Sequence, residues 1–239
     1  MITSRTLAAT AMGLFAAASF ATEYEVDRAE SVFAIVTYKE GLASRFAHNH
    51  FVVATDYEMS ASMDEGVDSS LRCTFQAKTA SLTADDPDLQ AKWWPKVKET
   101  WILKEGFSTV PEEDRKNVQQ TMLSDAQLDA TAYPEITATV KAAGLKPRVY
   151  SDKEYMNSAE VSVTIKGVTL DLPVYYDAIK EGDTLSLVAV APIYLTRFNI
   201  EPYSAFLGAV RVKDRCHIYI NVRLKAKPVS LPANENPAE

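Results

Sequence analysis

Residues Ser162–Tyr176 read SVTIKGVTLDLPVYY. Runs of β-forming residues flank Lys166-Gly167, where glycine supplies the positive φ that a tight hairpin turn needs. Val161, Val163 and Ile165 share one face, and Ser162 and Thr164 share the other, which is the period of a half-buried strand. The stretch predicts an antiparallel hairpin with strands at Ala159–Lys166 and Thr169–Ile179.

The same signal recurs outward from this hairpin, at Tyr24–Tyr38, Val52–Met63, Ser69–Leu82, Glu135–Ala143, Thr184–Leu195 and Arg215–Ala226. With EGVDS and KEGD as further short joints, about eight strands in a meander are expected, closed as a barrel or stacked as a sandwich. One region departs. From Asp85 to Tyr133 the chain is charged and helical in character, an insertion of about 85–132 between strands. Asp85 or Asp86 is expected to cap a first helix, Pro87 to open it, and Pro95 and Gly106 to limit it. In STVPEEDRKNVQQTML, Ser108 or Thr109 is the expected cap and Pro111 the first residue, with Val118 and Met122 on one face. Trp93, Trp94 and Trp101 lie among Lys92, Lys96 and Lys98. Such a cluster suits contact with lipid or a membrane interface, but the preferred reading is that the rings cap the barrel and pack on its outer wall, because a long insertion must bury something to stay folded.

The ends and the composition bound the function. Arg5, the apolar run Leu7–Ala18 and the small-x-small Ser19-Phe20-Ala21 form a secretory leader over 1–21, so the chain is expected in the periplasm with the leader removed. A single domain follows over 22–227, then a polar, Pro-rich tail over 228–239. No later segment carries about 18 consecutive apolar residues, so no stable membrane insertion is expected. The net charge of −7 argues against nucleic acid and anionic membranes as partners. An oxidising compartment would allow a Cys73–Cys216 bridge, but their strands, third and last, are not neighbours in a closed meander, which favours two buried thiols.

Alternation assigns inward positions: Phe33 and Ile35; Leu71, Cys73 and Phe75; Val161 and Val163; Ile193; and Cys216, Ile218, Ile220, Val222 and Leu224. His217 and Tyr219 then point outward. The other two histidines lie together in SRFAHNHFVVATDY, Ser44–Tyr57. On an extended backbone His48 and His50 share a face, roughly 6.5–7 Å apart. A closed metal site needs three or four ligands, and no CxxC or HExxH motif supplies them, so a metal site at His48 and His50 is the alternative reading only. Nor does a G-x-S-x-G elbow accompany them, so no catalytic residue is assigned and no cofactor is expected.

Four stretches resemble the YceI-like family in the same order: YEVDRAESVFAIV (Tyr24–Val36), MLSDAQLDATAYPEITATV (Met122–Val140), the hairpin SVTIKGVTLDLPVYY, and RFNIEPYSAFLGAVRVKDRCHIYINVRLKA (Arg197–Ala226). The resemblance implies a lipocalin-like, eight-stranded antiparallel barrel with helical segments inserted between strands. It implies a non-enzymatic carrier of a small apolar lipid, a polyisoprenoid or isoprenoid quinone. A homodimer is compatible with the sequence but not implied by it. Arg45, His48 and His50 would then stand at the barrel mouth against a quinone carbonyl or phosphate head group, with Phe198 retained from the family pattern. Arg197 stands where many members carry an acid.

Overall fold

A computed structural model describes residues 21–64 and 66–228. The leader (1–21) and tail (228–239) fall outside this range but for one residue each. The chain is a closed antiparallel barrel of eight staves. Three staves are broken in two. The first comprises β1 (Thr22–Val26) and β2 (Val32–Val36), and the second β3 (Phe51–Ala54) and β4 (Tyr57–Met63). The third comprises β5 (Arg72–Lys78) and β6 (Leu82–Ala84). Continuous staves follow: β7 (Glu135–Leu145), β8 (Asn157–Ile165), β9 (Val168–Glu181), β10 (Thr184–Tyr194) and β11 (Arg215–Ala226).

The hairpin read from the sequence forms as β8 and β9, with Ile165 opposite Val168 and positive φ at both Lys166 and Gly167. Closure falls on β11. Its start pairs with β2, His217 opposite Val36, and its end pairs with β1, Tyr24 opposite Ala226. Between them the chain leaves the ladder in the 3₁₀ turn Arg28–Glu30, and Ser31 Oγ accepts the Arg223 N–H at 3.0 Å. Ser81 pins the other two breaks, with its carbonyl accepting from Thr55 Oγ1 at 2.8 Å and its hydroxyl from Asp56 N at 3.2 Å. Such interruptions bend a stave where a regular ladder would run straight.

The insertion covers the outer wall. Helix α1 (Pro87–Lys98) is capped by Asp86, which accepts from the N–H groups of Asp88 and Leu89, both at 3.0 Å. Pro95 does not end it; the helix runs on to Lys98, held by Trp93 and Val97 on either side of the proline, both buried against the barrel. A second core forms there from Trp93, Val97, Ile102 and Leu103 against Val32, Val36, Phe51, Val53 and Tyr219. This explains the near-continuous apolar runs VFAIV and FVVA, because β2 and β3 are covered on both faces. Of the three tryptophans, only Trp101 is exposed. Helix α2 (Glu112–Leu123) begins one residue later than expected, with Pro111 at the cap and no side-chain capping bond, so neither Ser108 nor Thr109 caps it.

His217 is buried on this outer wall as expected from its parity, and it joins a chain of polar side chains. Tyr38 Oη lies 2.6 Å from its Nδ1, and Tyr150 Oη lies 2.6 Å from its Nε2. Tyr38 donates to the Ile102 carbonyl at 2.9 Å, and Arg215 donates to Tyr150 Oη at 2.7 Å. One proton assignment satisfies every member: Arg215 to Tyr150, Tyr150 to Nε2, Nδ1–H to Tyr38, and Tyr38 to Ile102. It requires a neutral imidazole, and burial together with Arg215 pushes the His217 pKa down to about 4.

Candidate lipid-binding cavity

Side chains that alternate inward along the staves enclose a cavity of about 170 Å³. Its wall is apolar. Among the described residues, Thr139 and Tyr176 are the only lining side chains that carry oxygen. Small residues keep the tube open: Ala54, Ala77, Ala138, Ala159, Ala189 and Ala191 all face it. Rings narrow it where Phe33 and Phe75 stand 4.5 Å apart, centroid to centroid.

A second cavity of about 420 Å³ adjoins the first, and Ile35, Val52 and Leu82 line both. These three lie on β2, β3 and β6, so the broken stave ends make the junction. The roof is α2, whose Val118 and Met122 face inward as their i, i+4 spacing predicts. Gln119 fastens this helix to the barrel: its Oε1 accepts the Ala84 N–H at 2.9 Å and its Nε2 donates to the Leu82 carbonyl. Both bonds go to β6, so the side chain extends the edge of that strand.

Unlike the lumen, this outer chamber is partly polar. His48, His50, Asp114, Asn117, Tyr203 and Arg211 contribute to its wall. His50 is held firmly. Its Nδ1 lies 2.5 Å from Asp85 Oδ2, and the Asp85 side chain is completely buried. The other carboxylate oxygen accepts from Phe51 N at 3.0 Å and from Gln90 Nε2 at 2.9 Å. A carboxylate in that position fixes the proton on Nδ1 and leaves Nε2 as the nitrogen available to the chamber. His48 contributes a buried Nδ1 that has no hydrogen-bond partner among the described residues. Each is a polar group whose bonding the protein leaves incomplete.

The residues singled out in the sequence divide between three places. Phe33, Ile35, Leu71, Phe75, Val161, Val163, Ile218 and Ile220 line the lumen. His48 and His50 line the outer chamber. Arg45, Ile193 and Phe198 border neither cavity. Arg45 lies over the Phe46 ring at 4.6 Å, exposed, while Ile193 and Phe198 are buried in the interior core. Cys73 lines the lumen, whereas Cys216, opposite Ile193 on β10, is buried in the core and does not border it. Both are free thiols, and burial pushes each up to about 12. Among the described residues no group of three or more His, Cys, Asp or Glu side chains is placed to hold a metal ion. The sequence reading missed the chamber itself and the Asp85 buttress behind His50, whose only signal was a second acid before the predicted helix cap.

The model of the YceI-like domain matches residues 24–224. This chain belongs to the YceI-like family. Among solved structures, BcnA of Burkholderia cenocepacia shares the fold with a TM-score of 0.54 and 16% identity, over 83% of this chain and 99% of that one. A YCEI protein of Campylobacter jejuni matches with a TM-score of 0.47 and 17% identity over 74% of this chain and 85% of that one. A polyisoprenoid-binding domain of Saccharophagus degradans matches with a TM-score of 0.45 and 10% identity, over 87% of this chain and 100% of that one. No curated protein matches. No helix among the described residues is long and apolar enough to cross a membrane.

Proposed function

We propose that this chain is an exported, periplasmic carrier that holds one isoprenoid or isoprenoid-quinone molecule, its tail in the lumen and its head in the outer chamber. The observation that carries this reading is the apolar wall of the lumen joined to a partly polar chamber. Water gains almost no hydrogen bonds in such a lumen, whereas a slender hydrocarbon gains roughly 25 cal/mol for each Å² removed from solvent. A methyl-branched chain suits a tube narrowed by rings and widened by alanines. The chamber supplies what a head group needs: a fixed His50 Nε2 and the half-exposed Arg211 guanidinium, which is held by Glu40 at 3.3 Å. A hydroxyl can donate to His50 Nε2, and a carbonyl can accept from Arg211. The role is read as binding: His50 Nδ1 is committed to the buried Asp85 carboxylate, and the lumen wall offers hydrocarbon contact.

The test is uptake of radiolabelled geranylgeraniol, and separately of a short-chain isoprenoid quinone, by the delipidated protein in detergent solution. One molecule per chain is expected, and Ala138→Trp, which places a large ring in the lumen, should abolish uptake while the chain stays folded. Equal uptake by Ala138→Trp would place the ligand outside the lumen and end this reading.

A further inference from the structure

Two loops beside the outer chamber carry apolar side chains into solvent. Leu42 is 102% exposed, Phe46 70%, Phe206 81% and Leu207 109%. They belong to one rim. The Ala43 N–H bonds the Ala209 carbonyl at 2.8 Å. Gly41, at φ +105°, approaches so closely that an added Cβ would stand 2.4 Å from the Ala209 oxygen. The same loops supply Phe46, Tyr203 and Val210 to the chamber wall. Phe206 and Leu207 adopt positive φ in succession, 50° and 55°. That backbone is unfavourable for side chains with a Cβ, and here no burial offsets it, because both side chains project outward. A contiguous exposed apolar tip of this kind marks an interaction surface.

We propose that this rim is the chain's docking surface for a lipid bilayer bearing anionic headgroups, with Leu42, Phe206 and Leu207 entering the acyl boundary. Charge selects the partner. Within residues 39–50 and 200–213 the basic residues are Lys39, Arg45, Arg211 and Lys213, against Glu40 and Glu201; with Arg211 paired to Glu40 at 3.3 Å, Lys39, Arg45 and Lys213 remain against Glu201, an excess of two positive charges at the loops themselves, flanked by Asp214 and by Asp114 on the chamber wall, whereas the whole chain carries −7. An acidic protein that presents a basic, apolar-tipped rim is suited to a negative surface, with shallow apolar insertion adding to the attraction. Position supplies the second argument. The rim borders the wider of two joined cavities, so docking brings the chamber to the membrane and shortens the path of an insoluble ligand through water. The proposal rests on the lipid-carrier reading for its purpose but not for its test.

The test is flotation of the purified chain with vesicles of phosphatidylglycerol and phosphatidylethanolamine that contain no isoprenoid, against vesicles of phosphatidylcholine. The expected result is flotation with the anionic vesicles that weakens as salt rises and falls at least tenfold in L42S/F206S/L207S. These three side chains border neither cavity, so that variant should keep its geranylgeraniol uptake from detergent. Failure of uptake in the unaltered chain alongside normal flotation would therefore strike the carrier reading and leave the rim standing. Equal flotation by the triple variant would overturn the proposal. So would a wild-type dimer in sedimentation velocity that the variant converts to monomer, with flotation absent in both, since the rim would then be an interface between copies.

Discussion

Acidification should weaken this barrel through a single histidine on its outer wall. His217 is buried and neutral, with both ring nitrogens engaged by tyrosines. Its pKa is pushed down from 6.5 to about 4, first by burial and then by Arg215. In the unfolded chain the same imidazole titrates near 6.5. Between these values the unfolded state binds the proton and the folded state does not, so stability rises with pH across the window. The contribution is fully present above about pH 6.5 and is lost as pH falls to about 4, a difference of about 3 kcal/mol. Urea unfolding at pH 7.0 and pH 4.0, for the unaltered chain and His217→Leu, isolates it, because the carboxylates and the other histidines titrate alike in both. The leucine variant should be less stable at pH 7.0 but should lose about 3 kcal/mol less on acidification. Imidazole NMR signals offer a direct companion measurement, since the chain has only three histidines. Equal loss in both proteins, or a His217 resonance titrating near 6.5, would refute the neutral hydrogen-bonded chain.

Other sites give sharper local outcomes. Asp85→Ala strips an acceptor from Phe51 N, Gln90 and His50 in a fully buried position, and should cost about 3 kcal/mol in urea unfolding. Cys73 and Cys216, both pushed up to about 12, should react with a disulfide reagent at pH 8 far more slowly than a free thiol. Loading the lumen should then slow Cys73 further and leave Cys216 unchanged, read by mass after alkylation, since only Cys73 lines the cavity. Gln119→Ala removes both bonds between α2 and β6 and should speed amide exchange in that helix without lowering the stability of the barrel hairpins.

Much of the barrel is legible in the sequence because its strands are half buried. Alternation at Val161, Val163 and Ile165, or at Ile218, Ile220 and Val222, records which face meets the lumen, and the structure places all six on it. The Lys166-Gly167 turn is equally local, since two residues with positive φ decide it. Readability ends where partners are distant. His50 and Asp85 are 35 residues apart, and Tyr38 and His217 are 179 apart, so neither pairing leaves a periodic trace. Pro95 misleads for a related reason. Local propensity ends a helix at proline, but burial of Trp93 and Val97 carries α1 past it. The apolar run of β2 and β3 conceals its cause too, because period two vanishes when both faces are covered. The chamber belongs to this class: it is assembled from α2, two loops and three broken staves, and only the Val118–Met122 spacing hinted at an inward-facing helix.

Everything above turns on whether the lumen holds a single isoprenoid-type molecule. Native mass spectrometry of the protein recovered from the periplasm of an expressing cell, followed by organic extraction and identification of the released species, tests it most directly. One isoprenoid or isoprenoid-quinone adduct per chain is expected, absent from Ala138→Trp. A bare mass that also takes up no added isoprenoid would contradict it.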